Sequence, residues 1–165
     1  METENQVIVL TETEGASVSV VGDTYRVITS GADTGGAYAA IDMMIPPGGG
    51  PGPHTHTGIH ESFYVVSGEV EFQTKEKTAV AKKGDTVTVP FGGEAHAFKN
   101  KSQSVAHLLC TVAPAGMDNF FQEIGVSVKA GDFLPPPALS DDDKKRMATI
   151  AEKYGQELFP PDYFG

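Results

Sequence analysis

The sequence predicts an all-β domain followed by one C-terminal α-helix, on three observations. Nineteen glycines and eleven prolines in 165 residues favour many short strands and turns over long helices. Up to about residue 113 the apolar residues come in short runs, several alternating with polar ones, as in Val18/Val20, Tyr25/Val27 and Val87/Val89. Near the C-terminus, by contrast, Met147, Ile150, Ala151 and Tyr154 form an apolar stripe at helical spacing.

The totals bound the rest. A chain of this length is one domain, large enough to bury a real core. Apolar residues at 39% and charged residues at 21% are ordinary for a globular protein. The net charge of −10 argues against nucleic acid and against an anionic membrane surface, since both would repel it. No N-terminal run is apolar and long enough for a signal peptide or a membrane span. Cys110 is alone, so an internal disulfide is impossible and a reducing compartment is the default. The expectation is a soluble, cytoplasmic protein.

Residues 1–47 read as antiparallel strands. Val7 to Leu10 is a short apolar run, and a turn at Gly22-Asp23 separates Val18/Val20 from Tyr25/Val27. Gly31 to Gly36 is a loop, and Tyr38 to Ile45 is a strand ended by Pro46-Pro47. Asp42 within it is read as facing water, because carboxylates are rarely buried unpaired. Val70 and Phe72 continue in a strand, and the charged stretches Lys75–Lys77 and Lys83–Asp85 are solvated turns. Val105 to Val112 is the last strong strand, with His107, Leu109 and Thr111 on one face and Ala106, Leu108 and Cys110 on the other. Residues 114–137 are irregular, with one or two helical turns at MDNFFQEIG and a stiff triple proline. Ser140 is an N-cap candidate before Asp141–Asp143, and Gly155 is a C-terminal cap, which predicts a helix over about 140–154. The chain thus divides into a β domain with N-terminal strands over 1–113 and an extension over 114–165, whose helix packs on that domain or on a partner subunit. Exposed strand edges at the N-terminus favour a homodimer.

The chemistry is concentrated in GGGPGPHTHTGIHESFYVVSG, residues 48–68. His54 and His56, two apart on a strand, point the same way. After a short turn Glu61, Phe63 and Val65 share a face. If these two runs pair as neighbouring strands, two imidazoles and a carboxylate converge, three of the ligands a transition metal needs. A fourth candidate, His96, opens a strand after the Pro90, Gly92-Gly93 turn and shares its face with Phe98.

Two motifs in these stretches resemble those of the cupin superfamily. Gly48, His54, His56, Glu61 and Gly68 match the first without a gap. Gly84, Pro90, Gly92, His96 and Asn100 match the second, except that three residues rather than two separate Gly92 from His96. The resemblance implies a double-stranded β-helix, the jelly-roll barrel of cupins. It also implies metal ligation by His54, His56, Glu61 and His96. One divalent transition-metal ion per chain (nickel, iron, manganese, cobalt, copper or zinc) suits imidazole and carboxylate donors. Four protein ligands leave open positions on an octahedral ion, the mark of a catalytic site.

The three histidines and glutamate, with a proline-rich C-terminal extension ending in a helix, make the chain similar to quercetin 2,3-dioxygenase-like cupins. That resemblance implies a dioxygenase-type oxidoreductase using molecular oxygen on a small hydroxylated or aromatic substrate, with Glu61 both ligand and catalytic proton acceptor. The alternative is a non-redox cupin, either an isomerase or a non-catalytic module binding a sugar or small acid. Met43, Ile45, Phe63, Phe98, His107 and Leu109 are the candidate pocket residues; for the five apolar ones taken singly, plain core packing is the first reading. His107 is also a candidate donor to a ligand or substrate. His60, next to Glu61 on the strand, points to the opposite face and is read as a loop histidine.

Overall fold

A computed structural model describes residues 6–165. Its strands are β1 Ser17–Val20, β2 Asp23–Thr29, β3 Ala39–Ile45, β4 His54–Thr55, β5 His60–Ser67, β6 Glu69–Thr74, β7 Thr78–Lys82, β8 Thr86–Val89, β9 His96–Lys99 and β10 Ala106–Ala113. Helix α1 Met117–Ile124, β11 Val126–Val128, helix α2 Asp141–Lys153 and β12 Glu157–Leu158 complete it. The strands form a seven-stranded sheet in the order β11-β1-β2-β3-β10-β5-β8 and a five-stranded sheet in the order β12-β4-β9-β6-β7. All the pairings are antiparallel. The two antiparallel sheets make a jelly roll, with the C-terminal helix present as the sequence predicts.

Alternation builds the core. In β10 the residues Ala106, Leu108, Cys110 and Val112 are buried while His107, Leu109 and Thr111 are half-exposed. The buried set lies in register with Met43 and Ile41 of β3 and with Val65, Phe63 and Glu61 of β5. The smaller sheet answers with Val70, Phe72, Ala81 and Phe98. Phe63 meets Phe72 and Phe98 at centroid distances of 5.3 and 5.4 Å, so three rings from both sheets lock the interior.

Two expectations for the N-terminal region change. Residues 7–10 form no strand; Val7 is 92% exposed and Val9 78%, so an apolar run alone does not secure a strand partner. The part of that expectation falling on residues 1–5 lies outside the described residues. The β1–β2 turn is Val21-Gly22 rather than Gly22-Asp23, with φ of 51° and 98°. Two consecutive left-handed residues suit the twist of a tight hairpin, which frees Asp23 to begin β2. The segment MDNFFQEI is the eight-residue α1, and Phe121 packs edge-on against Tyr25 at 4.8 Å.

The α2 start is a reciprocal cap: Ser140 Oγ accepts from Asp143 N–H, and Asp143 accepts from Ser140 N–H. Ala151 of its apolar stripe is fully buried, while Tyr154 contacts Phe120 of α1. Gly155 follows in the left-handed region, with φ of 75°.

Candidate metal centre

The strand carrying His54 and the strand carrying Glu61 are not neighbours. β4 pairs with β9 and β12 in the smaller sheet, whereas β5 sits between β10 and β8 in the larger one. Thr57–Ile59 carries the chain from one sheet to the other, and the ligands converge across the barrel instead of along one sheet. His54 and His96 are direct register partners, which brings their rings to 4.4 Å between centroids. His56, just past β4, lies 4.9 Å from His96 ring to ring.

One donor atom from each of His54, His56, Glu61 and His96 lies within 4.8 Å of the others, and all four residues are buried. Their orientations have local causes. His54 Nδ1 is 2.8 Å from the Gly52 carbonyl and His96 Nδ1 is 3.0 Å from that of Glu94. Each Nδ1–H donates to its carbonyl, so the lone pair resides on Nε2, the tautomer a metal ligand needs. Glu61 Oε1 accepts from the Cys110 thiol at 3.3 Å. Its Oε2 lies 2.9 Å from His56 Nε2 and 3.6 Å from His96 Nε2.

These three atoms, Glu61 Oε2, His56 Nε2 and His96 Nε2, are fully buried and have no aligned hydrogen-bond partner. Orphaned polar atoms that converge on one point are costly unless a further group satisfies them. The donor set of three imidazoles and one carboxylate fits a divalent transition-metal ion.

The electrostatics agree. Burial pushes the Glu61 carboxyl up, but the close approach of His56 and His96 outweighs it and holds the group well below the usual carboxylate range. Burial and repulsion by His96 bring His54 down to about 4, so it stays neutral. Burial also lowers His56, but Glu61 more than offsets this and raises it.

The other candidates fall in two groups. Met43, Ile45, Phe63 and Phe98 are all buried in the core cluster, Phe63 and Phe98 being two residues beyond Glu61 and His96 on the same faces. His107 and Leu109 lie on the opposite face of β10, away from the barrel interior, in register with Met44 and Asp42. There Asp42 bonds His107 Nε2 and pairs with Arg26 at 3.0 Å, half-buried rather than simply solvated. A period-two pattern tells which residues share a face but not which face turns inward, so both are removed from the pocket set. His60 is half-buried, stands 5.7 Å from the Phe91 ring, and is absent from the cluster. Sequence reasoning missed Cys110 as a partner of Glu61; its place beside Ala106 and Leu108 on one face was the available signal.

No lysine or arginine reaches the interior: every lysine and Arg146 are exposed, and Arg26 lies on the outer face. Two surface clefts, one around Gly31 and Asp118 and one around Leu10, Arg26 and Tyr38, share no residue with the cluster. Among the described residues no helix is long and apolar enough to cross a membrane.

Comparison with known proteins agrees with this architecture. Residues 41–112 match the cupin domain family. An oxalate-binding protein of Thermotoga maritima is 33% identical over 70 residues, 42% of this chain and 57% of that protein, so the match spans little more than half of that relative. The polyketide cyclase RemF of Streptomyces resistomycificus superposes with a TM-score of 0.59 at 18% identity, covering 85% of this chain and 92% of that one. A cupin-superfamily sugar phosphate isomerase of Silicibacter pomeroyi gives 0.54 at 19% identity, over 66% and 75%. At such identities the superpositions speak for the fold alone. Both sequence motifs and the two-sheet jelly roll thus agree with the match of residues 41–112 to the cupin domain family.

Proposed function

We propose that the chain is a metal-dependent cupin holding one divalent transition-metal ion on His54, His56, Glu61 and His96. Within that class we infer a dioxygenase-type oxidoreductase acting on a small hydroxylated or aromatic substrate, with molecular oxygen as co-substrate. The observation that carries the metal reading is the set of three buried, unpartnered donor atoms converging in one cluster. The bound ion supplies Lewis acidity and redox capacity in its open positions.

The chain's own residues do the rest. Glu61 keeps its carboxylate ionised beside His56, which suits it to hold the ion; accepting a proton from a substrate hydroxyl would first require that stabilisation to be relieved. Phe63, Phe72 and Phe98 pack as a mutually contacting aromatic layer beside Glu61 and His96, and with Met43 and Ile45 they exclude water from that side of the site. A homodimer belongs to the same reading, supported by the exposed apolar residues 7–10, which have no strand partner among the described residues.

The second reading is a non-redox module that binds a small acid, and the relative named for oxalate binding favours it. Elemental analysis of purified protein with oxygen-uptake assays on flavonols and dihydroxy aromatics separates the two. About one metal ion per chain, lost in His54→Ala and Glu61→Gln, with oxygen uptake, supports the dioxygenase. Metal without uptake on any such substrate favours the binding module. No metal in any form of the protein sinks both versions of the metal reading.

A further inference from the structure

The strand that carries His54 is the weakest element at the site. β4 is two residues long and meets β9 through the single register pair His54–His96. It is preceded by Pro51-Gly52-Pro53, where the prolines offer no N–H to hold the loop. Its other edge is covered from the far end of the chain. β12 pairs Leu158 with His54 and Glu157 with Thr55, and Phe159 N–H donates to the Pro53 carbonyl at 2.9 Å.

β12 is itself anchored to the barrel rather than loosely laid on it. Lys153 and Tyr154 reach Glu123 of α1 at 3.0 and 2.6 Å. Gln156 is buried, with its N–H on the Ala151 carbonyl at 2.9 Å and its side chain 3.0 Å from Met117 Sδ. Beyond the strand, Phe159 stacks on Tyr163 at 4.1 Å. The other ligand-bearing strands need no such help: β5 is flanked by β10 and β8, and β9 by β4 and β6.

We propose that β12 is a strap that positions His54, so that the metal affinity of the site depends on the last ten residues of the chain. The proposal rests on the metal reading above. Without the strap, β4 becomes a two-residue edge held by one register pair, and His54 samples positions from which Nε2 misses the ion. Glu61, in the larger sheet, stays in place.

The test is cobalt(II) titration of metal-free protein, comparing wild type with Phe159→Pro, Phe159→Ala and a chain ending at Gly155. Phe159→Pro deletes the N–H that bonds Pro53, whereas Phe159→Ala keeps it and removes only the stacking. We expect Phe159→Pro and the shortened chain to weaken cobalt binding at least about tenfold and to alter the cobalt absorption spectrum, since His54 leaves its position. Phe159→Ala should stay within about twofold of wild type. Amide exchange at 54–56 in the metal-free Phe159→Pro protein should quicken. Unchanged affinity in Phe159→Pro overturns the strap. Equal losses in the alanine and proline variants assign the effect to stacking and overturn it as well. If wild type binds no cobalt, the metal reading itself fails, and amide exchange still decides whether β12 restrains β4.

Discussion

Glu61 presents its two oxygens to different company. Oε1 takes the Cys110 S–H, and Oε2 faces the imidazoles. Burial, and then the Glu61 charge, push the thiol well above its ordinary value, so it remains a donor. The thiol thereby leaves one oxygen for the ion. Cys110→Ser retains a donor and should hold metal affinity within about threefold; Cys110→Ala should weaken it by about tenfold, read by chelator competition.

Asp23 is a second buried carboxylate, accepting from Tyr25 O–H at 2.9 Å and from Gly50 N–H at 3.2 Å. Burial raises it to about 6, with those two bonds opposing. The folded state therefore holds this proton more tightly than the unfolded chain, whose group titrates near 3.8. Its contribution to stability is full below that value and is lost as pH rises through about 6. Urea unfolding of metal-free protein should show Asp23→Asn gaining about 3 kcal/mol relative to wild type between acid and neutral pH. A constant difference across pH would refute the assignment. At this scale the clustering of His54, His56, Glu61 and His96 was legible in the motif spacing, while Cys110 was read as a redox marker and a strand-face residue but not as a partner of Glu61.

Among the elements, the loops entering the site were legible as glycine and proline clusters, but their closures were not. Asn100 ends the second motif and is fully buried. Its Nδ2 donates to the Ile45 and Ser104 carbonyls at 2.9 and 2.7 Å, and its Oδ1 accepts from Ser102 N–H at 2.9 Å. Its backbone carbonyl and N–H bind Gly48 and Gly49, joining the two motifs. Asn100→Ala leaves several of these groups unpaired and should cost about 2–4 kcal/mol in chemical denaturation. Gly50 belongs to the same closure: a Cβ there would stand 2.1 Å from the Phe98 carbonyl. The assignment of β4 and β5 to opposite sheets was hidden for a related reason. Alternation reports local faces, whereas the sheet a strand joins depends on partners about 40 residues away in β9, and in β12 about 100 residues away.

For the whole molecule, the interior links both sheets to the histidine–glutamate cluster, so on the metal reading metal binding and folding would be thermodynamically coupled. Metal at about one hundred times its Kd should stabilise wild type by about 2.7 kcal/mol, a rise in Tm of about 5–10 °C, and leave His54→Ala nearly unmoved. Phe98→Ala, which empties the junction of the three rings, should destabilise the metal-free fold by about 3–5 kcal/mol in denaturant titration.

The exclusion of every lysine and arginine from the barrel has an arithmetic of its own. On the metal reading, a divalent ion beside one ionised Glu61 and three neutral imidazoles would leave the buried centre with a single positive charge. A ligand bearing one negative charge, such as a phenolate, neutralises it. A dianion overshoots, leaving an unpaired charge in a medium that solvates it poorly. If the metal reading holds, a singly ionised ligand would balance the centre, and a doubly ionised one would need a further positive charge that no lysine or arginine of the interior supplies.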